Sequence, residues 1–353
     1  MPRNILITGA AGYIGGSIVA DLLSKHPAIT KNQVFAAVRT DEQAKALSIH
    51  GINVLKLDLS DEQAVINEIS SHKISIVVHA ANSIDPGLTL NLINGLAKQK
   101  ETTGKPTYSI HVGSSAGSSW PRIINTDTDA VFETEKEFAD SYPVRKTDVT
   151  VIEHAQDQGV TPFIVVPSIV YGRGTGVWNQ LSVVIPGLTQ ASLKLQKVYK
   201  FDENISLQAV HISDLTALYR RIIHAALNRE EIPSGKEGYY FAVAHDLDMW
   251  QFQDHLAAAM KARGLVKSDK PEVYPSDEFA AEAIDVPVEF LSILYKSGGH
   301  FTATRPQSIG WKPKWDRERF LKNVDAEIVD VVELGRANSS LVDSLFAAVG
   351  RAR

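Results

Sequence analysis

Six short apolar runs punctuate the first half of the chain: NILIT, VFAAV, NVLKL, SIVVHA, YSIHVG and FIVVPSIVYG. Each is rich in β-branched residues and apolar on both faces, as in a strand buried inside a parallel sheet; a half-solvated strand would alternate apolar and polar positions. The intervals between the runs are long enough for the crossover helices that parallel neighbours require. The succession predicts an α/β fold, a doubly wound parallel sheet of the Rossmann type. Past Tyr171-Gly172-Arg173-Gly174 the rhythm breaks into Gly-, Pro- and Trp-containing segments mixed with helices, which predicts a smaller mixed C-terminal lobe. On this reading residues 1–175 and 208–244 form the sheet domain, and residues 176–207 and 245–353 form the lobe. The final segment, SSLVDSLFAAVGRAR, has the pattern of an amphipathic helix packed on its own lobe or on a second copy of the chain in a homodimer.

Composition narrows the function classes. The chain has 353 residues, 44% hydrophobic and 22% charged, enough for one large α/β domain and a lobe. Lys and Arg number 36 against 41 Asp and Glu, a net charge of −5, so there is no basic field for nucleic acid or an anionic membrane. With no cysteine, disulfides and thiolate chemistry are excluded, which fits a reducing compartment. An apolar strand begins almost at the first residue and no run is long enough to span a bilayer, so neither a leader nor a membrane segment is expected and the expected location is cytoplasmic. The eleven histidines show no ligand spacing, and no metal is expected; His79 and His211 read as structural residues at strand ends.

The first strand runs into TGAAGYIGG, where Thr8, Gly9, Gly12 and Gly15 form a T-G-x-x-G-x-x-G pattern ahead of a helix. Such glycines make the tight turn, let backbone approach a pyrophosphate and pack helix against strand. The phosphates sit on the free N–H groups of the helix start, here Tyr13 and Ile14. At the tip of the second strand, where an acid would take the ribose 2′-hydroxyl of NAD, stands Arg39, which suits the 2′-phosphate of NADP; nearby Asp41 keeps NAD open. After the third strand Asp58, beside Leu59, is placed either to meet the adenine amino group or to cap a helix.

Tyr142 and Lys146 have a Tyr-x-x-x-Lys spacing, which on a helix puts both side chains on one face about 5–6 Å apart at Cβ. Ser141 is placed to cap that helix, with Pro143 tolerated in its first turn and Arg145 facing solvent. Trp120, Trp178 and Trp250 are candidates either for an apolar substrate pocket or for ordinary core packing.

Over roughly residues 4 to 315 the chain resembles the extended short-chain dehydrogenases/reductases, the superfamily of nucleotide-sugar epimerases and dehydratases and of dihydroflavonol-type reductases. Besides the glycines, Asp58-Leu59 resembles the family's D-L, His79-Ala80-Ala81-Asn82 its H-x-A-A, Ser114-Ser115 its strand-five serine pair, and Pro167-Ser168-Ile169-Val170-Tyr171-Gly172-Arg173-Gly174 its P-x-x-V-Y-G-x-G. His211 to Leu215 resembles H-V-x-D-L, and Ile309 to Pro313 resembles L-G-W-x-P. The resemblance implies a dinucleotide held by Thr8, Gly9, Gly12, Tyr13, Ile14, Gly15, Arg39, Asp58, Leu59, Ala80, Ala81, Ser114, Tyr142, Lys146, Pro167, Ser168 and Ile169. It also implies catalysis by Ser115, Tyr142 and Lys146: the tyrosine gives a proton to a carbonyl oxygen, the serine bonds that oxygen, and the lysine holds the nicotinamide ribose. Ser115 precedes Ala116-Gly117 as the family's catalytic serine does; Ser114 is the alternative.

Two departures bear on the reading. The family's Asn-Val-x-Gly-Thr is missing, and Asn91 and Asn94 are both out of register with Gly95. Leu207 stands four residues before His211, where nucleotide-sugar enzymes carry an arginine for the diphosphate, although Arg173 or Arg305 could bring that charge from elsewhere. The expected activity is therefore NADP-dependent reduction of a small, largely apolar carbonyl or similar C=C or C=N compound. The alternatives are a nucleotide-sugar epimerase or dehydratase with bound NAD, and a non-catalytic NADP-sensing regulator.

Overall fold

The computed structural model describes residues 3–49, 51–113, 126–297, 299–335 and 340–351. The chain opens with β1 (Asn4–Thr8), α1 (Tyr13–Lys25), β2 (Val34–Val38), α2 (Asp41–Ser48), β3 (Asn53–Lys56), α3 (Glu62–Ser71), β4 (Ile74–His79), α4 (Pro86–Thr103) and β5 (Tyr108–Val112). It continues through α5 (Val131–Glu137), α6 (Pro143–Asp157), β6 (Thr161–Pro167), β7 (Ile169–Tyr171), α7 (Val184–Leu195), β8 (Tyr199–Lys200), β9 (Ser206–His211) and α8 (Ile212–Asn228). The last third holds β10 (Tyr239–Ala242), β11 (His245–Asp248), α9 (Met249–Ala262), β12 (Glu272–Val273), α10 (Asp277–Ile284), α11 (Val288–Leu291), α12 (Thr304–Ser308), α13 (Arg317–Leu334) and α14 (Ser340–Ala348).

The main sheet has seven strands in the order β10-β6-β5-β4-β1-β2-β3, every pair parallel. Strand order reverses between β1 and β4, and in an open α/β sheet ligands bind beyond the carboxyl ends at that switch point. The doubly wound fold is thus as expected, with a smaller mixed sheet, β11-β9-β7, beside it. The seventh strand, β10, was not among the six runs. The run FIVVPSIVYG also divides: β6 stays in the main sheet, and β7 pairs with β9 in the second. Pro167 and Ser168 mark the exit. Proline has no N–H to continue the ladder, and Ser168 turns its N–H (3.2 Å) and hydroxyl (2.8 Å) onto the Ala242 carbonyl.

Two apolar cores result, one around the main sheet with α1, α4, α6 and α8, the other around α7, α9, α10 and α13. Ala303, Ile309 and Trp311, from the segment expected in the lobe, return to the first core. Two of the sequence motifs meet there. The Asp214 carbonyl accepts from the Trp311 indole (2.8 Å), and its carboxylate accepts from the N–H groups of Lys314 and Trp315 (2.9 Å each). His211, at the end of β9, stacks on Trp315 at 3.9 Å between ring centres. These motifs fasten the C-terminal segment across the sheet. No helix among the described residues is long and apolar enough to cross a membrane.

Candidate active site

A groove opens over the carboxyl ends of β1, β2, β3 and β4. Register pairs Thr8 with His79, so the residues that follow, Gly9 and Ala80, meet face to face. Gly9 has φ +66°, and a Cβ there would lie 2.5 Å from the Ala80 carbonyl oxygen. A Cβ on Gly15 would strike the Gly9 carbonyl, so only glycines permit this turn. Gly12 is the N-cap of α1 and offers no side-chain cap, which leaves the first-turn N–H groups for an anion. The cradle has the shape and donor set of a dinucleotide pyrophosphate site.

Farther along, Arg39, Gln43, Asp58 and Leu59 line the groove. The Gln43 side chain accepts from the Arg39 N–H at 3.1 Å, fixing the strand tip, and no carboxylate pairs with Arg39 among the described residues. Asp41 is held by Lys56 at 2.8 and 2.9 Å and does not line the groove. Asp58 accepts from the Ser60 hydroxyl (2.7 Å) and N–H (2.9 Å), which hold its carboxyl below the usual range, while Asp61 caps α3.

The groove continues past Ala80, Ala81 and Asn82 into a chamber of about 280 Å³ between the sheet and the lobe. Tyr13, Ile14, Pro167, Ser168 and Ile169 reach its wall, with Tyr142, Leu181, Leu207, Phe290, Phe301 and Leu345 among the residues around them. Among the described residues, no Asp, Glu, Lys, Arg or His lines it. Gln208 does not offer its amide to this space: its Nε2 donates to the Phe301 carbonyl (2.8 Å) and its Oε1 accepts from the Phe301 N–H (2.7 Å).

Tyr142 and Lys146 do not share a helix face. Tyr142 precedes proline, which excludes it from helical dihedrals; at φ −154° and ψ 125° it is itself the N-cap of α6, with Pro143 the first helical residue. It lines the chamber. Lys146, 63% exposed, places Nζ 3.1 Å from Asp140 and outside the chamber wall. Ser141 does not cap the helix. It donates to the Phe138 carbonyl and accepts from Arg145 at 2.7 Å; Arg145 is buried at 5% exposure, where solvent was expected. Ser114, Ser115 and Trp120 lie outside the described residues.

The model of the NAD dependent epimerase/dehydratase family matches residues 5–232 of this chain. The chain belongs to that family. It is an NAD(P)-dependent enzyme of the extended short-chain dehydrogenase/reductase type. It is 23% identical over 256 residues to a dTDP-4-dehydro-6-deoxy-D-allose reductase of a Streptomyces species, covering 67% of this chain and 77% of that one. To the oxidase ucsJ of an Acremonium species it is 24% identical over 308 residues, covering 80% and 86%. In fold it is similar to UDP-glucose 4-epimerase from Thermotoga maritima (TM-score 0.62, 16% identity, 94% and 100% covered). It is similar also to vestitone reductase from alfalfa (TM-score 0.59, 17% identity, 95% and 99% covered).

Other expected positions sort clearly in this epimerase/dehydratase-family fold. Arg173 is engaged by Asp330 (3.2 Å) and Glu333 (2.8 Å), and Arg305 is buried against Glu237; neither reaches the chamber. Asn91 donates to the Leu59 carbonyl (2.9 Å) and Asn94 to Glu62 (2.7 Å), so neither serves the chamber. Trp178 lines the dinucleotide groove, while Trp250 stands away from both spaces, its indole on the Phe201 carbonyl at 3.1 Å. Asn82, which closes the motif after β4, holds the turn there, its side chain accepting from the Ile84 N–H at 2.7 Å. Residues that the sequence did not single out are those of the apolar wall, Leu181, Phe290, Phe301 and Leu345, and no local motif marks them.

Beneath the chamber lies a buried polar chain. Thr8 bonds His79 at 2.7 Å, the rings of His79 and His111 stack at 5.4 Å, and His111 Nε2 is 3.5 Å from Asp148 of α6. Burial lowers His79 to about 4; it pushes His111 well below its usual value, with His79 adding to the effect. Burial, then Glu135, raises Asp148 well above the carboxylate range. Both histidines are therefore neutral at pH 7, and burial disfavours the charged form of Asp148 beside them.

Proposed function

We propose that this enzyme is an NADPH-dependent reductase of small, uncharged, largely apolar carbonyl compounds, or of C=C or C=N bonds polarised in the same way, closest in character to the dihydroflavonol-type reductases. One observation carries the reading: the chamber presents Leu207, Phe290 and Phe301 and no charged side chain among the described residues. A sugar diphosphate taken into such a space would lose hydration without gaining donors, at a cost of several kcal/mol. Arg173 and Arg305 are already paired with carboxylates elsewhere.

NADP is favoured over NAD because Arg39 faces the groove without a carboxylate partner while Asp41 is bound by Lys56. A bound dinucleotide supplies the hydride that reduces the carbonyl carbon. Tyr142 then gives its hydroxyl proton to the carbonyl oxygen, completing an alcohol, and Ser115, or Ser114 in its place, donates a hydrogen bond to that oxygen. Lys146 leaves the exposed Asp140, a pair worth little in water, to hold the nicotinamide ribose. Thr8, Gly9, Gly12, Tyr13, Ile14 and Gly15 seat the pyrophosphate, with Asp58 and Leu59 at the adenine and Ala80, Ala81, Pro167, Ser168 and Ile169 along the nicotinamide half.

The test is a pair of titrations. NADPH oxidation is followed against a panel of uncharged aldehydes, ketones and imines, and UDP-, GDP- and dTDP-sugars are titrated calorimetrically into the NADP-loaded protein. Turnover on the panel with no sugar-nucleotide heat is expected; micromolar binding of any sugar nucleotide would overturn the reductase reading in favour of an epimerase or dehydratase.

A further inference from the structure

The helix α14 is seated on neither core. Val342 and Leu345 are 3% and 4% exposed, yet they belong to neither of the two large apolar clusters. The helix lies over the cleft instead. Leu341, Ser344 and Leu345, spaced i, i+3 and i+4 and so on one stripe, line the chamber. Ser344 also lines the dinucleotide groove, where Trp178 is a further wall residue, so a single side chain of α14 belongs to both compartments. At its far end the chain is pinned by an ion pair between Arg351 and Glu289 of α11, next to the chamber residue Phe290.

Nine residues make a helix that is marginal alone and needs an apolar seat. Here part of that seat is empty space. Atoms that fill the chamber and groove supply contacts the helix otherwise lacks, and a ligand that binds only the seated form stabilises that form by its differential affinity.

We propose that α14 is a roof shared by the two ligands. Dinucleotide in the groove seats the helix through Ser344, and the seated helix completes the substrate chamber, with Leu341 and Leu345 as specificity-determining contacts to the substrate's apolar body. Binding is then ordered, dinucleotide first, and product must leave before the dinucleotide. This inference rests on the reductase reading for the nature of the substrate, and on the cleft itself for the dinucleotide.

Amide hydrogen exchange across residues 341–348 of the full-length protein, with and without saturating NADPH or NADH, whichever binds, tests the seating. Dinucleotide should slow exchange there by about tenfold or more, beyond any change in α9 or α13. Arg351→Ala, which removes the pin without touching either compartment, should speed dinucleotide release severalfold in stopped-flow fluorescence, with the thermal midpoint of the two cores unchanged. Leu341→Ala, at a position 38% exposed and tolerant of truncation, should raise KM for 4-phenyl-2-butanone more than it lowers kcat and leave the dinucleotide dissociation constant unaltered. Dinucleotide binding with unchanged exchange in α14, or release from Arg351→Ala at the wild-type rate, overturns the roof while leaving the reductase standing. A protein that binds a dinucleotide with α14 protected but reduces none of the uncharged panel overturns the reductase reading and the substrate half of this one, and leaves the seating intact.

Discussion

In the groove over the strand ends three polar groups come from the tips of consecutive strands: Thr8 ends β1, Arg39 follows β2, and Asp58 stands two residues past β3. The chamber at the other end is walled by Tyr142 from a helix cap, Leu207 from β9, Phe290 from α11 and Phe301 from the chain beyond it. The first region is a local product of the parallel sheet, since each strand delivers its terminal side chain to the same edge. The second exists only once the lobe has closed on the sheet. Its chemistry depends on which apolar surfaces meet there.

The sharpest way to break the contrast is at Tyr142, where the chamber must do chemistry and not merely enclose. Tyr142→Phe keeps the ring and loses the transferable proton, so turnover should fall by about 10²–10⁴-fold with little change in dinucleotide affinity. Lys146→Met should lower both turnover and affinity, whereas Asp140→Asn, which frees Lys146 from its present partner, should leave both near wild type. Steady-state kinetics beside fluorescence titration separates these cases. A Tyr142→Phe variant that keeps more than about a tenth of wild-type activity would force a search for another proton donor.

At the adenosine end the expected effect is on affinity. Arg39→Ala should weaken NADPH by on the order of 1.5–3 kcal/mol, about tenfold to a hundredfold, and leave NADH nearly unchanged. Equal losses for both dinucleotides would remove Arg39 from the 2′-phosphate.

These two regions were not equally legible in the sequence. The groove could be read because strand ends and glycines carry local constraints: Gly9 must turn where β1 meets β4, and Arg39 must lie at the tip of β2. The Tyr-x-x-x-Lys spacing misled on geometry, since it assumed two helical residues when Pro143 makes Tyr142 the cap. Arg145 was misplaced as well. The position before the motif lysine was expected in solvent, but Glu135 of α5, which accepts from the Tyr239 hydroxyl, faces the Arg145 guanidinium there. Leu207, on the lobe side of the chamber, was visible in advance because a motif four residues away fixed its register. Phe290, Phe301 and Leu345 had no such anchor.

Gln208 sharpens the comparison further, because it lines the chamber and also holds Phe301 in place. It is 8% exposed and pairs both amide atoms with Phe301. Gln208→Leu leaves the Phe301 N–H and carbonyl without those partners, a loss of about 1–3 kcal/mol in stability. KM for an apolar ketone should rise severalfold as Phe301 shifts, with kcat and NADPH affinity nearly held. An unchanged KM in a destabilised variant would mean that Phe301 does not bound the substrate.

The smallest effect is expected from the buried acids behind Tyr142. Burial raises Glu135 to about 8, although the Tyr239 hydroxyl donates to it and the Arg145 guanidinium opposes the shift. A carboxyl raised above its usual value of 4.5 is held neutral in the fold, so its contribution is full at low pH and is lost as pH rises through about 8. His79, lowered to about 4, runs the other way: its contribution is full above 6.5 and fades as pH falls. Above pH 6.5 only the acids act. Between pH 6.5 and 8.5 the Tm of the wild type should therefore fall, and Glu135→Gln should remove about 2–5 °C of that fall, with Glu327, raised by burial to about 7, contributing to what is left. The adenosine groove has no such buried acid in its wall, so Arg39→Ala should reproduce the wild-type profile throughout. A Glu135→Gln profile parallel to wild type over that window would show that Glu135 is already ionised in the fold, and that the Tyr142 helix rests against a charge and not against a neutral floor.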